Sequence, residues 1–124
     1  MEVKIDTKEK FHVITLLEPQ LSATMTEEIV NILIPLLQTP VKNVILNLRE
    51  LQLLDTVSGE RLVNVQQKFY EQNASFVICG LQPAVESFLD DQELLEMMNV
   101  TPPESEAWDI VQMEEIEREL LDGN

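Results

Sequence analysis

Residues 53–63, with the sequence LLDTVSGERLV, join a predicted buried strand to a predicted helix. The strand is the apolar run Val44–Leu48, which lies just before this junction. The helix is predicted over Leu62–Tyr70, where apolar side chains recur at helical spacing. Asp55 and Thr56 therefore stand at the start of a helix that follows a buried strand.

Asp55 and Thr56 have two interpretations at this position. Both residue types are common helix caps, because their side-chain oxygens accept hydrogen bonds from the unpaired N–H groups of the first turn. Alternatively, Thr56 is a modifiable hydroxyl at the positive end of a helix dipole, where a phosphate group is stabilised. The junction is compatible with both.

The length and composition indicate one globular domain over residues 1–124. Hydrophobic residues make up 44% of the chain and charged residues 25%, which is typical of such a domain. No apolar run approaches the ~18 residues that span a membrane, and the N-terminus lacks an apolar signal core. The single cysteine, Cys79, excludes an internal disulfide and suits a reducing compartment. We therefore expect a cytoplasmic protein.

The net charge of −15 is concentrated in the C-terminal third. Residues 1–80 contain ten acidic and seven basic side chains, whereas residues 81–124 contain thirteen acidic side chains and one base, Arg118. Such a surface repels phosphate backbones and anionic lipids, so we expect neither nucleic-acid binding nor membrane insertion. The acidic surface favours partners with basic faces, or serves solubility alone.

The hydrophobic periodicity predicts the order β-β-α-β-α-β-α-α. The first two strands are half-buried by their alternation and form a hairpin. Strands that alternate with helices then predict an α/β fold, with helices packed on a mixed sheet that an antiparallel hairpin begins. The predicted elements are strands at 3–7 and 11–17, a helix at 24–36, a strand at 43–48, a helix at 62–70, a strand at 75–80, a helix from 83, and an acidic helix at about 104–121.

Two predicted helices carry further local signals. Thr24 and Glu27 resemble a capping box at the start of the first helix. Pro35 is expected to kink that helix or to end its regular part early. In the last helix, apolar side chains mark one face and the opposite face is densely acidic; the apolar residues are Ala107, Ile110, Met113, Ile116 and Leu120.

Catalytic signals are weak. His12 is the only histidine, and its place on the polar phase of a strand predicts a surface residue. The sequence has neither a metal-ligand cluster nor a glycine-rich phosphate loop. We therefore expect no enzyme activity, no cofactor, no metal and no small-molecule substrate, and an enzyme hypothesis would depend on His12 alone.

Four segments of the chain form a distinctive combination. They are the strand Val44–Leu48, the corner Leu54–Gly59, the strand Phe76–Leu81, and the helix start Pro83-x-Val85-x-x-x-Leu89. Together they resemble the STAS domain, the module shared by sulphate transporters and anti-sigma factor antagonists. The tail, with Thr101–Ala107 and Met113–Leu120, is similar to the ending of a free-standing bacterial subgroup. The resemblance covers nearly the whole chain.

The resemblance implies a phosphorylation site at the corner. The family pattern is Asp-Ser-Ser-Gly, with the residue after the aspartate as the acceptor, and that residue here is Thr56. Val57 and Ser58 replace the usual second serine and glycine, and the glycine is displaced to Gly59. An alternate alignment makes Ser58 the acceptor.

The resemblance also implies a docking surface and a pathway. The protein would bind an anti-sigma factor or serine/threonine switch kinase, with a GHKL-type ATP site, while Thr56 is unphosphorylated, and a metal-dependent phosphatase would reverse the modification. Such partner switching would regulate transcription. The alternative is a STAS scaffold or accessory subunit, in a stressosome-like assembly or beside a lipid transporter, without a switch. The implied docking residues are Gln20, Ser22, Asp55, Thr56, Val57, Ser58, Glu60 and Gln82.

Overall fold

The computed structural model describes residues 1–122, except for the side chain of Asp122. The elements are β1 (Val3–Thr7), β2 (Phe11–Leu16), β3 (Gln20–Leu21), α1 (Ala23–Leu33), β4 (Asn43–Asn47), β5 (Leu53–Leu54), α2 (Thr56–Glu71), β6 (Phe76–Cys79), α3 (Pro83–Asp91), β7 (Val100–Thr101) and α4 (Glu104–Asp122). Strands β1, β2, β4, β6 and β7 form one sheet in the order β1-β2-β4-β6-β7, in which β1 and β2 are antiparallel and the other neighbours are parallel.

The predicted mixed α/β fold and its order of main elements are confirmed. The three short strands β3, β5 and β7 were not predicted, because two residues are too few to show a period. Pro35 ends the regular part of α1, as expected, since the α-helix stops at Leu33 and a 3₁₀ segment spans Ile34–Gln38. No helix among residues 1–122 is both long and apolar enough to cross a membrane.

The central strands are covered on both faces. Successive side chains of a strand point to opposite sides, so Ile14, Leu46 and Ile78 belong to one core cluster, which also holds apolar residues of α1, α2 and α3. Val13, Ile45 and Val77 belong to a second cluster, with Ala107 and Val111 of α4. Helices α1–α3 therefore pack on one face of the sheet and α4 on the other.

His12 is buried, so the prediction of a surface histidine was wrong. Only 7% of its surface is exposed. Its Nδ1 lies 2.8 Å from the Thr7 hydroxyl, and its Nε2 lies 2.9 Å from the Val41 carbonyl oxygen. The prediction failed because β2 pairs on both edges and is buried on both faces, so its polar phase does not reach solvent.

The capping box predicted for α1 was also wrong. The N-cap is Ser22, whose hydroxyl accepts a hydrogen bond from the Met25 N–H at 3.3 Å. Glu27 instead binds Arg61 of α2, with Arg61 Nε 2.9 Å from its carboxylate. Helix α1 thus begins at Ala23, and its N-cap lies two residues before Thr24.

Asp55 is the N-cap of α2. Its carboxylate accepts a hydrogen bond from the Ser58 N–H at 2.7 Å. This bond lowers the pKa of Asp55 below its usual value, because it stabilises the charged form. The capping interpretation therefore holds for Asp55.

The apolar side chains in the C-terminal half of helix α4 face solvent, contrary to the expectation from the sequence. Ala107 and Val111 are buried against the sheet, but Met113, Ile116 and Leu120 are 60%, 56% and 71% exposed. The side that packs inward beyond Val111 is polar. The predicted apolar face therefore packs inward at Ala107 and Ile110, and its remaining residues, Met113, Ile116 and Leu120, face solvent.

Glu114 forms the first part of this inward polar contact. Its Oε1 accepts hydrogen bonds from the Tyr70 hydroxyl at 2.8 Å and from the buried Ser75 hydroxyl at 2.6 Å. Burial, with the adjacent Glu114 carboxylate, raises the pKa of Tyr70 to about 12. Both hydroxyls thus depend on Glu114 as an acceptor.

Arg118 forms the second part, one turn further along α4. Its Nη2 donates to Ser75 Oγ at 2.8 Å, to Asn43 Oδ1 at 3.0 Å and to Glu115 Oε2 at 3.2 Å. Burial opposes ionisation of Glu115, but the bonds from Asn43 and Arg118 outweigh it and lower the pKa of Glu115. We call Asn43, Tyr70, Ser75, Glu114, Glu115 and Arg118 the α4 polar network.

We expect Glu114→Ala to lower the free energy of unfolding by about 1–3 kcal/mol, because it leaves two partly buried hydroxyls without their acceptor. Glu114→Gln should cost less, since the amide oxygen still accepts. Urea unfolding measures both. The matched control is Glu117→Ala on the exposed side of α4, which should change stability by less than ~0.5 kcal/mol. Equal losses for Glu114→Ala and Glu117→Ala would contradict the role of the network.

The N-caps Ser22 and Asp55 should contribute to the free energy of unfolding with different pH dependence. Because the folded-state pKa of Asp55 lies below its unfolded value of about 3.9, its stabilisation is present above that value and is lost as the pH falls through the folded pKa. The cost of Asp55→Ala should therefore be large near neutral pH and shrink towards about pH 3. Ser22→Ala removes an uncharged cap, so its cost should not change with pH. Urea unfolding of both variants across this range is the measurement, and parallel curves would contradict the assignment.

Candidate functional site

The first turns of α1 and α2 lie together at one end of the sheet. Strands β3 and β5 are paired in parallel, Gln20 with Leu53 and Leu21 with Leu54. The next residue along each strand is an N-cap, Ser22 for α1 and Asp55 for α2. The pairing therefore sets two helix N-termini side by side, with their unpaired N–H groups and positive dipole ends near the same surface.

Ser58 joins these two helices inside the protein. The Thr26 hydroxyl lies 2.7 Å from Ser58 Oγ, and the Ser58 hydroxyl donates to the Leu21 carbonyl oxygen at 3.2 Å. Ser58 is fully buried. The expectation that Ser58 is an alternate acceptor and a docking residue is therefore corrected, because its side chain lies between α1 and α2 and does not reach the surface.

Thr56 is the first residue of α2 and is half-buried at the surface. Its hydroxyl donates to Gln92 Oε1 at 3.0 Å, and Gln92 is the C-cap of α3. The hydroxyl is thus held between two helix ends while it stays at the surface. Gln92 lies 36 positions away in the chain, and no local pattern marks it.

Gly59 allows α3 to come this close. A Cβ at position 59 would lie 2.8 Å from Leu94 Cδ1 and 3.1 Å from Leu89 Cδ2, which is closer than ordinary packing. Leu89 and Leu94 flank the turn that carries Gln92. The displaced glycine therefore has a packing role, since it lets this turn lie against the first turns of α2.

Two residues close to Thr56 in the chain have exposed apolar side chains. Leu53 is 59% exposed and Val57 is 64% exposed. A groove of about 250 Å³ runs beside them, with a largely apolar floor; its lining is Gln20, Leu21, Ser22, Leu53, Leu54 and Asp55. Exposed leucine and valine beside a groove are typical of a protein-binding surface.

The charges beside Thr56 are acidic. Asp55 precedes Thr56, and Asp91 and Glu93 flank Gln92 in the chain; all three are exposed. Arg61, five positions after Thr56, is already paired with Glu27. A phosphate on Thr56 would gain from the helix N-terminus, but it would lie among carboxylates.

The remaining predicted residues are distributed unevenly. Gln20, Ser22 and Val57 are exposed on this surface, and Glu60 is exposed one turn after Thr56. Gln82 is the N-cap residue at the other end of α3, about 15 Å along the helix from Gln92, and its Nε2 donates to the Arg49 carbonyl oxygen at 2.8 Å. Gln82 is therefore not brought next to Thr56. Leu53 and Gln92 were not predicted, although Leu53 immediately precedes the corner.

Residues 1–122 contain no group of three histidine, cysteine or acidic side chains that could hold a metal ion. Cys79 is buried, and burial raises the pKa of its thiol to about 12, with Glu104 adding to the effect. A thiol with this pKa is protonated and unreactive near neutral pH.

The groups that the surface around Thr56 offers to a partner are a hydroxyl, a helix N-terminus and exposed apolar side chains.

Solved structures with the same fold include three of particular interest. An anti-sigma-factor antagonist (STAS) domain protein from Planctomyces limnophilus has 18% identity and a TM-score of 0.75, over 89% of this chain and 97% of that one. The anti-sigma factor antagonist SpoIIAA in its unphosphorylated form has 19% identity and a TM-score of 0.70, over 90% and 96%. The phosphorylated form of SpoIIAA, a Bacillus cell fate determinant, has 19% identity and a TM-score of 0.63, over 89% and 99%.

At these identities, the solved structures show a shared fold. Comparison with curated protein sequences gave no match. A family model described as "STAS domain" matches residues 2–107, which include the sheet, α1–α3 and the corner at Asp55–Thr56. The chain therefore belongs to the STAS domain family.

Proposed function

We propose that the protein is an anti-sigma factor antagonist-like phospho-switch, which binds an anti-sigma factor or switch kinase while Thr56 is unphosphorylated. The observation that carries this proposal is the position of the Thr56 hydroxyl. It lies at the surface, at the N-terminus of α2, and the side chains of Leu53 and Val57, which are near it in the chain, are exposed. SpoIIAA, which has the same fold, has been solved both unphosphorylated and phosphorylated.

The unmodified surface suits docking. A neutral hydroxyl bonded to Gln92 can be covered by a partner at little desolvation cost, because its hydrogen bond is already satisfied. Leu53, Val57 and the adjacent groove supply the apolar contact area. A partner with basic side chains would also complement Asp55, Asp91 and Glu93.

Phosphorylation would reverse these conditions. A kinase with a GHKL-type ATP site would transfer the γ-phosphoryl group of ATP to Thr56 Oγ, so that ADP leaves and the hydroxyl proton is lost. The hydrogen bond from Thr56 to Gln92 would be lost, because the phosphorylated oxygen carries no proton. A charge of about −1.5 to −2 would be added among carboxylates. A coupling of ~1–3 kcal/mol between the phosphate and the docked partner would change affinity about five- to 150-fold.

Under this proposal, ATP and the metal ions belong to the partners. A metal-dependent phosphatase would hydrolyse the phosphothreonine, and the STAS chain would contribute binding and no catalysis. The buried His12, with both ring nitrogens hydrogen-bonded, supports this division, because it is not placed to act as a base on an exposed substrate. The switch would regulate transcription in the cytoplasm.

We expect a Thr56-dependent phosphorylated form in the native cell. On Phos-tag gels, wild-type protein should give a slower band under at least one growth condition, and Thr56→Ala should abolish it. The matched control is Thr24→Ala, an exposed threonine in the first turn of α1, which should keep the band. If the band is absent under all conditions, or survives in Thr56→Ala, the switch is excluded and the scaffold alternative is favoured.

The same substitution should identify the partner. Thr56→Ala as bait should capture a GHKL-type kinase, and Thr56→Glu should lower its affinity at least about fivefold without a large change in melting temperature. Isothermal titration with the purified kinase is the measurement. Equal affinities of the two variants would contradict the proposal.

Docking should also depend on the exposed apolar side chains near Thr56. We expect Leu53→Asp to weaken binding of that kinase at least about tenfold, because it places a charge where apolar surface is buried. Leu53 is largely exposed, so the fold should be retained. Ile5→Asp on the edge strand β1, also an exposed apolar residue, is the matched control and should leave affinity unchanged. A loss of equal size in both variants would argue against a specific surface at Leu53.

A further inference from the structure

The outward side of α4 carries an apolar stripe that the proposed switch does not use. Met113, Ile116 and Leu120 are each more than half exposed. Their spacing of three and four residues places them in one row along the helix. This is the a/d spacing of helices that pack against another helix.

The α4 polar network holds the stripe outward. Glu114 and Arg118 lie on the opposite side of α4 and bind Tyr70, Ser75 and Asn43. If α4 rolled to bury the stripe, these polar groups would lose partners at a cost of about 1–3 kcal/mol each. The stripe is therefore a stable feature of the folded protein.

The charges beside the stripe indicate what can cover it. Glu106, Asp109 and Glu117 share the outward side of α4 and are exposed. Arg118, the single base of residues 81–124, is turned inward and bonded to Glu115. The outward side thus combines an apolar row with acidic side chains: Asp109 lies in line with Met113, one turn before it, and Glu117 lies beside the row.

This pattern disfavours two possible occupants. A second copy of the chain would place its own acidic side chains against Asp109 and Glu117, and like charges oppose such a contact. An anionic membrane would be repelled in the same way. A helix with basic edges has the complementary charge.

We propose that the outward side of α4, residues 109–121, binds an amphipathic helix of another protein whose apolar stripe is flanked by lysine or arginine. The site is separate from Thr56, because α4 packs on one face of the sheet and α2 on the other. A partner on α4 could therefore remain bound while the partner at Thr56 exchanges.

The test uses the full-length protein and two synthetic three-heptad helices, labelled for fluorescence anisotropy. Both have leucine at a and d; one has lysine at e and g, and the other glutamate. The lysine helix should bind at least about tenfold more tightly than the glutamate helix. The double variant Met113→Glu/Ile116→Glu should bind the lysine helix at least about tenfold more weakly than wild type, although it is more acidic.

The matched control is Ser105→Glu/Gln112→Glu, which adds the same charge to exposed positions of α4 but leaves the stripe intact. It should keep or increase affinity for the lysine helix. If both double variants bind the lysine helix as wild type does, the attraction is only general acidity and the proposal fails. A wild-type dimer in sedimentation velocity, or binding to phosphatidylglycerol vesicles, that Met113→Glu/Ile116→Glu removes would also overturn it, in favour of a second copy or a membrane.

Discussion

The parallel pairing of Gln20–Leu21 with Leu53–Leu54 sets the geometry of the surface around Thr56. Two residue pairs contribute little stability themselves, but they align the two chain segments that lead into α1 and α2. The N-caps Ser22 and Asp55 follow in register. Thr56 is then presented from a rigid helix end beside a second helix end, and its surroundings are fixed before any partner arrives.

The two faces of the sheet carry two different kinds of surface. On the α1–α3 side, the neutral hydroxyl of Thr56 lies near exposed apolar side chains. One charged group added to this hydroxyl would change the binding properties of the surface. On the α4 side, the apolar stripe lies among acidic side chains and contains no hydroxyl. Under the two proposals, a partner exchanges at the first surface while another remains bound at the second. The strands between them are buried on both faces, so the two surfaces are joined by a rigid sheet.

The orientation of α4 follows from polar groups at the edge of the sheet. Asn43, the first residue of β4, and Ser75, just before β6, are buried and need hydrogen-bond partners. Glu114 and Arg118 provide them, so the polar side of the helix packs inward beyond Val111. Leaving these groups unpaired would cost about 1–3 kcal/mol for each group. The exposed stripe is the consequence.

The sequence by itself determined the order of strands and helices, the two-face burial of Val44–Leu48, the early end of α1 at Pro35 and the corner at Asp55. These features depend on hydrophobic period, backbone geometry and capping, which act within a few residues. Only the tertiary structure decided that His12 and Ser58 are buried, that Gln92 binds Thr56, and which side of α4 faces inward. Each of these depends on a partner more than twenty positions away, and local patterns carry no information about such contacts.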